Sequence, residues 1–166
     1  PQIYYYSKSW HEEFGKPTAR PTPWWETERE RLLSLSASLS PCYVYHSPTQ
    51  TNRARQLQSL DSIDAIFYAI KANPHPAILE TLEREGIGFE CVSIQELDLI
   101  LELFPDINKK RILFTPNFAP KFEYEYALKV GCPVTIDSLY PLEHWSELFK
   151  NHEVIVRIDP GSGAGH

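Results

Sequence analysis

From residue 47 onward, short apolar runs alternate with stretches in which apolar positions recur every three or four residues. The runs predict buried strands and the recurrences predict amphipathic helices. "TQTNRARQLQSL" reads as a helix, "IFYAI" as a strand, "HPAILETLEREG" as a helix closed by Gly86, and "IGFECV" as a strand. Ser93, with Glu96 three residues later, has the spacing of a capping box for the helix "IQELDLILELF". Strand "RILFT", helix "APKFEYEYALKVG", strand "CPVTID", helix "LYPLEHWSELFK" and strand "EVIVRID" follow. Such alternation predicts an α/β fold whose parallel sheet is covered by helices. It leaves a closed barrel and an open doubly wound sheet as alternatives.

Residues 1–40 break this rhythm. "PQIYYYSKSWHEEFGKPTARPTPWW" is aromatic and rich in proline, a poor helix or central strand, and is followed by the helix-like "ETERERLLSLSASLS". We expect a connector over 1–40 and the α/β body over 41–166, beginning with a short strand in "PCYVYHS".

Polar residues collect just beyond the predicted strands: Lys71 and Asn73, Ser93, Thr115 and Asn117, Asp137 and Ser138, and Asp159-Pro160-Gly161. In α/β folds that edge is where sites are built. The chain has 166 residues, is 42% hydrophobic, and carries a formal net charge of -6, with its lysines and arginines scattered. A core of useful size is therefore expected, while nucleic acid and anionic membrane are poor partners for it. No apolar run is long enough to span a bilayer. Cys42, Cys91 and Cys132 are odd in number and lack a C-x-x-C pair, which favours reduced thiols in a cytoplasmic protein over a metal site or disulfide framework. The chain contains no methionine and stops in "DPGSGAGH", so we expect a fragment of a longer polypeptide.

Lys71 raises the main chemical question, because "FYAIKANP" sets a lysine at the end of an apolar strand. An amine held at the mouth of a parallel sheet loses hydration, which favours its neutral, nucleophilic form, suited to Schiff-base chemistry with a carbonyl. The alternative is a strand-end lysine that snorkels to solvent or pairs with a carboxylate. Arg157, in the apolar run "VIVRID", must find an anion or carbonyl groups if it is buried.

"FYAIKANP", "GFECVSIQEL", "ILFTPN", "VTIDS" and "VIVRIDPGSGAGH" together resemble, in order and spacing, the fold-type III decarboxylases that use pyridoxal phosphate and include the diaminopimelate, ornithine and arginine enzymes. The resemblance covers about residues 41–166. It implies a partial (β/α)8 TIM barrel of the alanine racemase-like, pyridoxal phosphate-binding kind, with Lys71 as the catalytic Schiff-base lysine. It also implies Glu90 and Arg157 near the cofactor; Glu90 stands where the family commonly has aspartate. Structural alternatives remain for each: an ion pair at the strand end for Glu90, and a partner in Glu90 or Asp137 for Arg157. Capping is a sufficient reading of Glu96 and of Asp137-Ser138, and Asn117, His46 and His75 are given no role.

The last motif resembles the R-[IV]-N-P-G-x-G-x-G-H loop of the diaminopimelate decarboxylases, with Asp159 in place of asparagine. The segment before residue 41 resembles the joint between kinase and decarboxylase in bifunctional aspartate kinase/diaminopimelate decarboxylases. The resemblance thus implies a small amino-acid substrate, a homodimeric lysine-pathway parent and a fragment inactive alone. An ornithine- or arginine-type decarboxylase and a truncated, non-catalytic binding relative are the alternatives. A complete barrel takes about 250 residues.

Overall fold

The computed structural model describes residues 22–158. The chain divides into two compact units that meet between His46 and Ser47. In the first, helices α1 (Trp24–Thr27) and α2 (Arg29–Leu39) follow one another, and the Trp24 ring stacks on His46 with centroids 4.7 Å apart. The strand expected in "PCYVYHS" does not form; residues 41–46 are irregular and Ser47 already opens a helix.

The second unit holds five strands and the helices between them. In order these are α3 (Ser47–Gln58), β1 (Phe67–Ala69), α4 (Pro76–Arg84), β2 (Gly88–Cys91), α5 (Ile94–Leu103) and β3 (Ile112–Phe114), then α6 (Lys121–Val130), β4 (Val134–Ile136), α7 (Tyr140–His144), α8 (Ser146–Phe149) and β5 (Val154–Val156). All strand pairs are parallel and the sheet order is β1-β2-β3-β4-β5. A chain that steps always to the next neighbour through right-handed crossovers keeps its helices on one side, whereas a doubly wound sheet must reverse direction. The order therefore selects the partial barrel over the open doubly wound sheet.

Alternation along the strands separates the two faces. Phe89, Cys91, Ile112, Phe114, Val134 and Ile136 are at most 1% exposed. They face the helices: Phe89 stacks on Phe104 just past α5, and Phe114 meets the ring edge of Tyr124 in α6. The opposite, inner face carries Ala69, Glu90 and Leu113 in one register row, and Thr115, Thr135 and Ile155 in the next. On this inner face Ala69, Glu90, Leu113 and Thr115 are partly buried, Thr135 is buried and Ile155 is exposed.

Local chemistry sets the element ends. Asn73 Oδ1 accepts the His75 N–H, and His75 Nδ1 accepts the Ala77 N–H, which with Pro76 at the first position starts α4. Ser93 Oγ accepts the Glu96 N–H at 3.3 Å, while the Glu96 carboxylate accepts the N–H of Val92 at 2.7 Å, so the expected capping box forms with its return bond one residue earlier. Gly131, at φ 85°, ends α6 in the left-handed conformation that glycine adopts without strain. Below the sheet, the Arg111 guanidinium donates to a Glu83 carboxylate oxygen at 3.0 Å and to the carbonyls of Glu83 and Ile87, tying β3 to the end of α4.

The helix expected over "LYPLEHWSELFK" is split. Trp145 leaves helical geometry at φ -129°, and its partly buried ring packs against Tyr124 and Tyr140 where the regular turn is interrupted. Nor does Asp137-Ser138 cap it: α7 starts after Leu139 with no side-chain cap.

Candidate functional site at the C-terminal edge of the sheet

Lys71 lies in a single 3-10 turn, Ile70–Ala72, that directly follows β1. Ile70 is fully buried and anchors the turn, while the Lys71 side chain is exposed. The described residues thus leave the amine hydrated, in contrast to the desolvation expected from its strand-end position. Among the described residues it has no hydrogen-bond or ion-pair partner, so the carboxylate-paired alternative is not formed.

On the neighbouring strand, Glu90 stands opposite Ala69, two residues before the lysine. Its Oε1 accepts a hydrogen bond from the Thr115 hydroxyl of β3's C-terminal end. Among the described residues no cation lies within ion-pair distance of Glu90. The hydrogen bond takes the place of the ion pair considered from the sequence.

Arg157 also departs from expectation. It is exposed among the described residues, one residue past the end of β5 at Val156. Its backbone N–H bonds the carbonyl of Ile136, and Nη1 donates to Asn117 Oδ1 at 3.2 Å. Neither Glu90 nor Asp137 pairs with it among the described residues. Asp137 instead lines a cavity of about 200 Å³ with Phe118, Tyr124, Tyr140 and Trp145. The negative charges of Asp137 and Glu123 add to burial in raising the Tyr124 phenol to about 12.

Thr115 and Asn117 are the two site residues that the sequence reading left without a role. Their signal is period two: in "ILFTPN" the polar positions fall on the inner face, the side that carries Glu90. Cys91, by contrast, points to the helix side; burial first, then the nearby charge of Glu96, pushes its thiol far above the usual range. Cys132 is raised to about 11, chiefly by burial. Neither supplies a thiolate near neutral pH. No group of three or more potential metal ligands occurs among the described residues. The "DPGSGAGH" motif from Asp159 onward lies outside the described residues.

Comparison with known proteins gives this edge a context. Diaminopimelate decarboxylase from Zymomonas mobilis subsp. mobilis is 34% identical over 131 residues, covering 73% of this chain and 31% of that protein. The crystal structure of diaminopimelate decarboxylase from Helicobacter pylori complexed with L-lysine superposes with a TM-score of 0.64 at 26% identity, over 80% of this chain and 34% of that one. Lysine/ornithine decarboxylase from Vibrio vulnificus, complexed with cadaverine, shares the fold with a TM-score of 0.68 at 22% identity, over 83% of this chain and 37% of that one. The chain spans about a third of the length of the curated relatives it matches. Residues 49–166 match the family described as "Pyridoxal-dependent decarboxylase, pyridoxal binding domain". With five parallel strands in barrel order and a lysine past the first of them, the chain belongs to the pyridoxal-dependent decarboxylase family.

Proposed function

We propose that this chain is the first part of the barrel of an enzyme that decarboxylates meso-2,6-diaminopimelate to L-lysine and carbon dioxide, with Lys71 as the lysine that holds pyridoxal phosphate. The observation that carries the reading is the unpartnered Lys71 amine at the C-terminal edge, one strand from the Glu90 carboxylate. The donor set fits the cofactor. An amine free of partners matches its aldehyde, and an arginine has five N–H donors, of which Arg157 commits one to Asn117, leaving others for an anion.

When bound, pyridoxal phosphate supplies an electron sink for the pair left on the α-carbon as carbon dioxide departs. The chain's own residues hold and orient. Lys71 would hold the cofactor through its Nζ. Glu90 adds a negative charge on the neighbouring strand at the same edge of the sheet, and Arg157 offers its guanidinium to an anionic group. A proton replaces the lost carboxylate at the same carbon.

Diaminopimelate as the substrate is supported by the "RIDPGSGAGH" motif and by the diaminopimelate decarboxylases among the relatives. A homodimeric, cytoplasmic parent in lysine biosynthesis is part of the same proposal, as is the division into a connector over 1–40 and barrel residues from 41.

The test treats the intact protein with pyridoxal phosphate and borohydride, then maps the modified peptide by mass. Label on Lys71, lost in Lys71→Ala, is the expected result, together with release of carbon dioxide from diaminopimelate in preference to ornithine and arginine. Label on another lysine would end the assignment; preference for ornithine would keep the lysine and replace the substrate.

A further inference from the structure

We propose that Thr115 is a positioning residue that aims Glu90 at the Lys71 amine, an inference that rests on the function proposed above. A glutamate has three side-chain torsions, so holding its carboxylate in one place costs entropy unless something fixes it. Thr115 supplies that restraint. Its hydroxyl has one hydrogen, and the structure commits it to Glu90 Oε1. Oε2 has no partner among the described residues.

The donor is itself well held. Threonine is branched at Cβ and stiff about its first torsion. The Thr115 N–H bonds the carbonyl of Cys91 at 2.8 Å, which ties the donor's backbone to the residue next to Glu90. Both side chains lie on the inner face, and the strand that follows Ala69, the register partner of Glu90, turns at once into Lys71. Donor, carboxylate and amine therefore come from three adjacent strands in the order β3, β2, β1.

A comparison lies one strand away. Thr135 stands beside Thr115 at the next step of the register and presents a second hydroxyl, but that hydroxyl makes no hydrogen bond among the described residues. A general polarity effect of the inner face would involve both threonines. A positioning role belongs to Thr115 alone.

The experiment is a double-mutant cycle in the intact protein loaded with pyridoxal phosphate, using Thr115→Val, Thr115→Ser and Glu90→Gln, with Thr135→Val as the control. Thr115→Val should lower kcat by about tenfold with KM little changed, the loss expected for one hydrogen bond to a charged group. It should also shift the pH profile of the bound cofactor's absorbance. Serine should restore both, valine at 135 should leave both as they were, and Thr115→Val should add almost nothing in the Glu90→Gln background. Additive losses, or equal losses from the two valine variants, overturn the positioning role while borohydride label on Lys71 keeps the functional reading intact. Absence of label on Lys71, with the Thr115–Glu90 coupling still visible in urea midpoints, overturns the functional reading and reduces the pair to a structural one.

Discussion

Arg157 and Asn117 are joined across the end of β4, the guanidinium Nη1 donating to the amide oxygen at 3.2 Å from strands on either side. Both side chains are exposed, so the bond contributes little to stability but restricts where the arginine points. Asn117→Ala should weaken pyridoxal phosphate binding to the intact protein about tenfold, the low end for one hydrogen bond to a charged group, and leave the unfolding free energy within about 0.5 kcal/mol. Titration of the cofactor's absorbance measures the first effect and urea denaturation the second. Unchanged affinity would mean that this bond does not orient the guanidinium for the cofactor.

Thr135 is 5% exposed and its hydroxyl has no hydrogen-bond partner among the described residues. Burying a hydroxyl without a partner costs on the order of 1–3 kcal/mol, and valine has nearly the same shape. Thr135→Val should therefore stabilise the protein by about 1 kcal/mol. Urea denaturation decides it: a loss of stability would reveal a partner for the hydroxyl.

These positions mark how far the sequence could be read. The strand and helix rhythm was legible because each strand is a short apolar run between helices with clear ends at Ser93, His75 and Gly131. The choice between barrel and doubly wound sheet did not follow from that rhythm, since local pattern does not encode strand order; the family resemblance of the motifs supplied it, and the strand order agrees. Lys71 and Glu90 could be placed at the same edge because both follow apolar runs. Their environments could not: exposure of Lys71 and Arg157 depends on what covers the inner face and the outer edge of β5. Thr115 and Asn117 could be placed at that edge but given no role, because a hydroxyl and an amide acquire meaning only from the strand that arrives beside them.

Gly88 marks a close approach that the same local pattern hides. A Cβ there would lie 2.7 Å from the Arg111 carbonyl oxygen and 2.7 Å from the Phe67 ring. The ring can move, but the carbonyl is backbone at the start of β3, next to the Arg111 side chain fixed on Glu83 and Ile87. Gly88→Ala should destabilise the protein by about 1–3 kcal/mol through overpacking. Adding Phe67→Leu should recover only part of that loss. Full recovery in urea denaturation would show that the ring alone was the obstacle.

Tyr124 contributes to the loss of stability at alkaline pH, together with the buried thiols of Cys91 and Cys132. Its ring is 1% exposed, packed between Phe114, Trp145 and Phe149, and burial, aided by the charges of Asp137 and Glu123, raises its phenol from 10.0 to about 12. The group is neutral in both folded and unfolded chains below about pH 10, so stability there is independent of it. Between about pH 10 and pH 12 the unfolded chain ionises first, and folding should lose about 1.4 kcal/mol per pH unit from this residue. Above about pH 12 both states are ionised and the loss levels off. Tyr124→Phe should flatten that part of the stability profile while costing little packing, because only the hydroxyl is removed. Urea midpoints measured from pH 9 to pH 12 for the two proteins make the comparison, and parallel slopes would assign the alkaline loss to other groups.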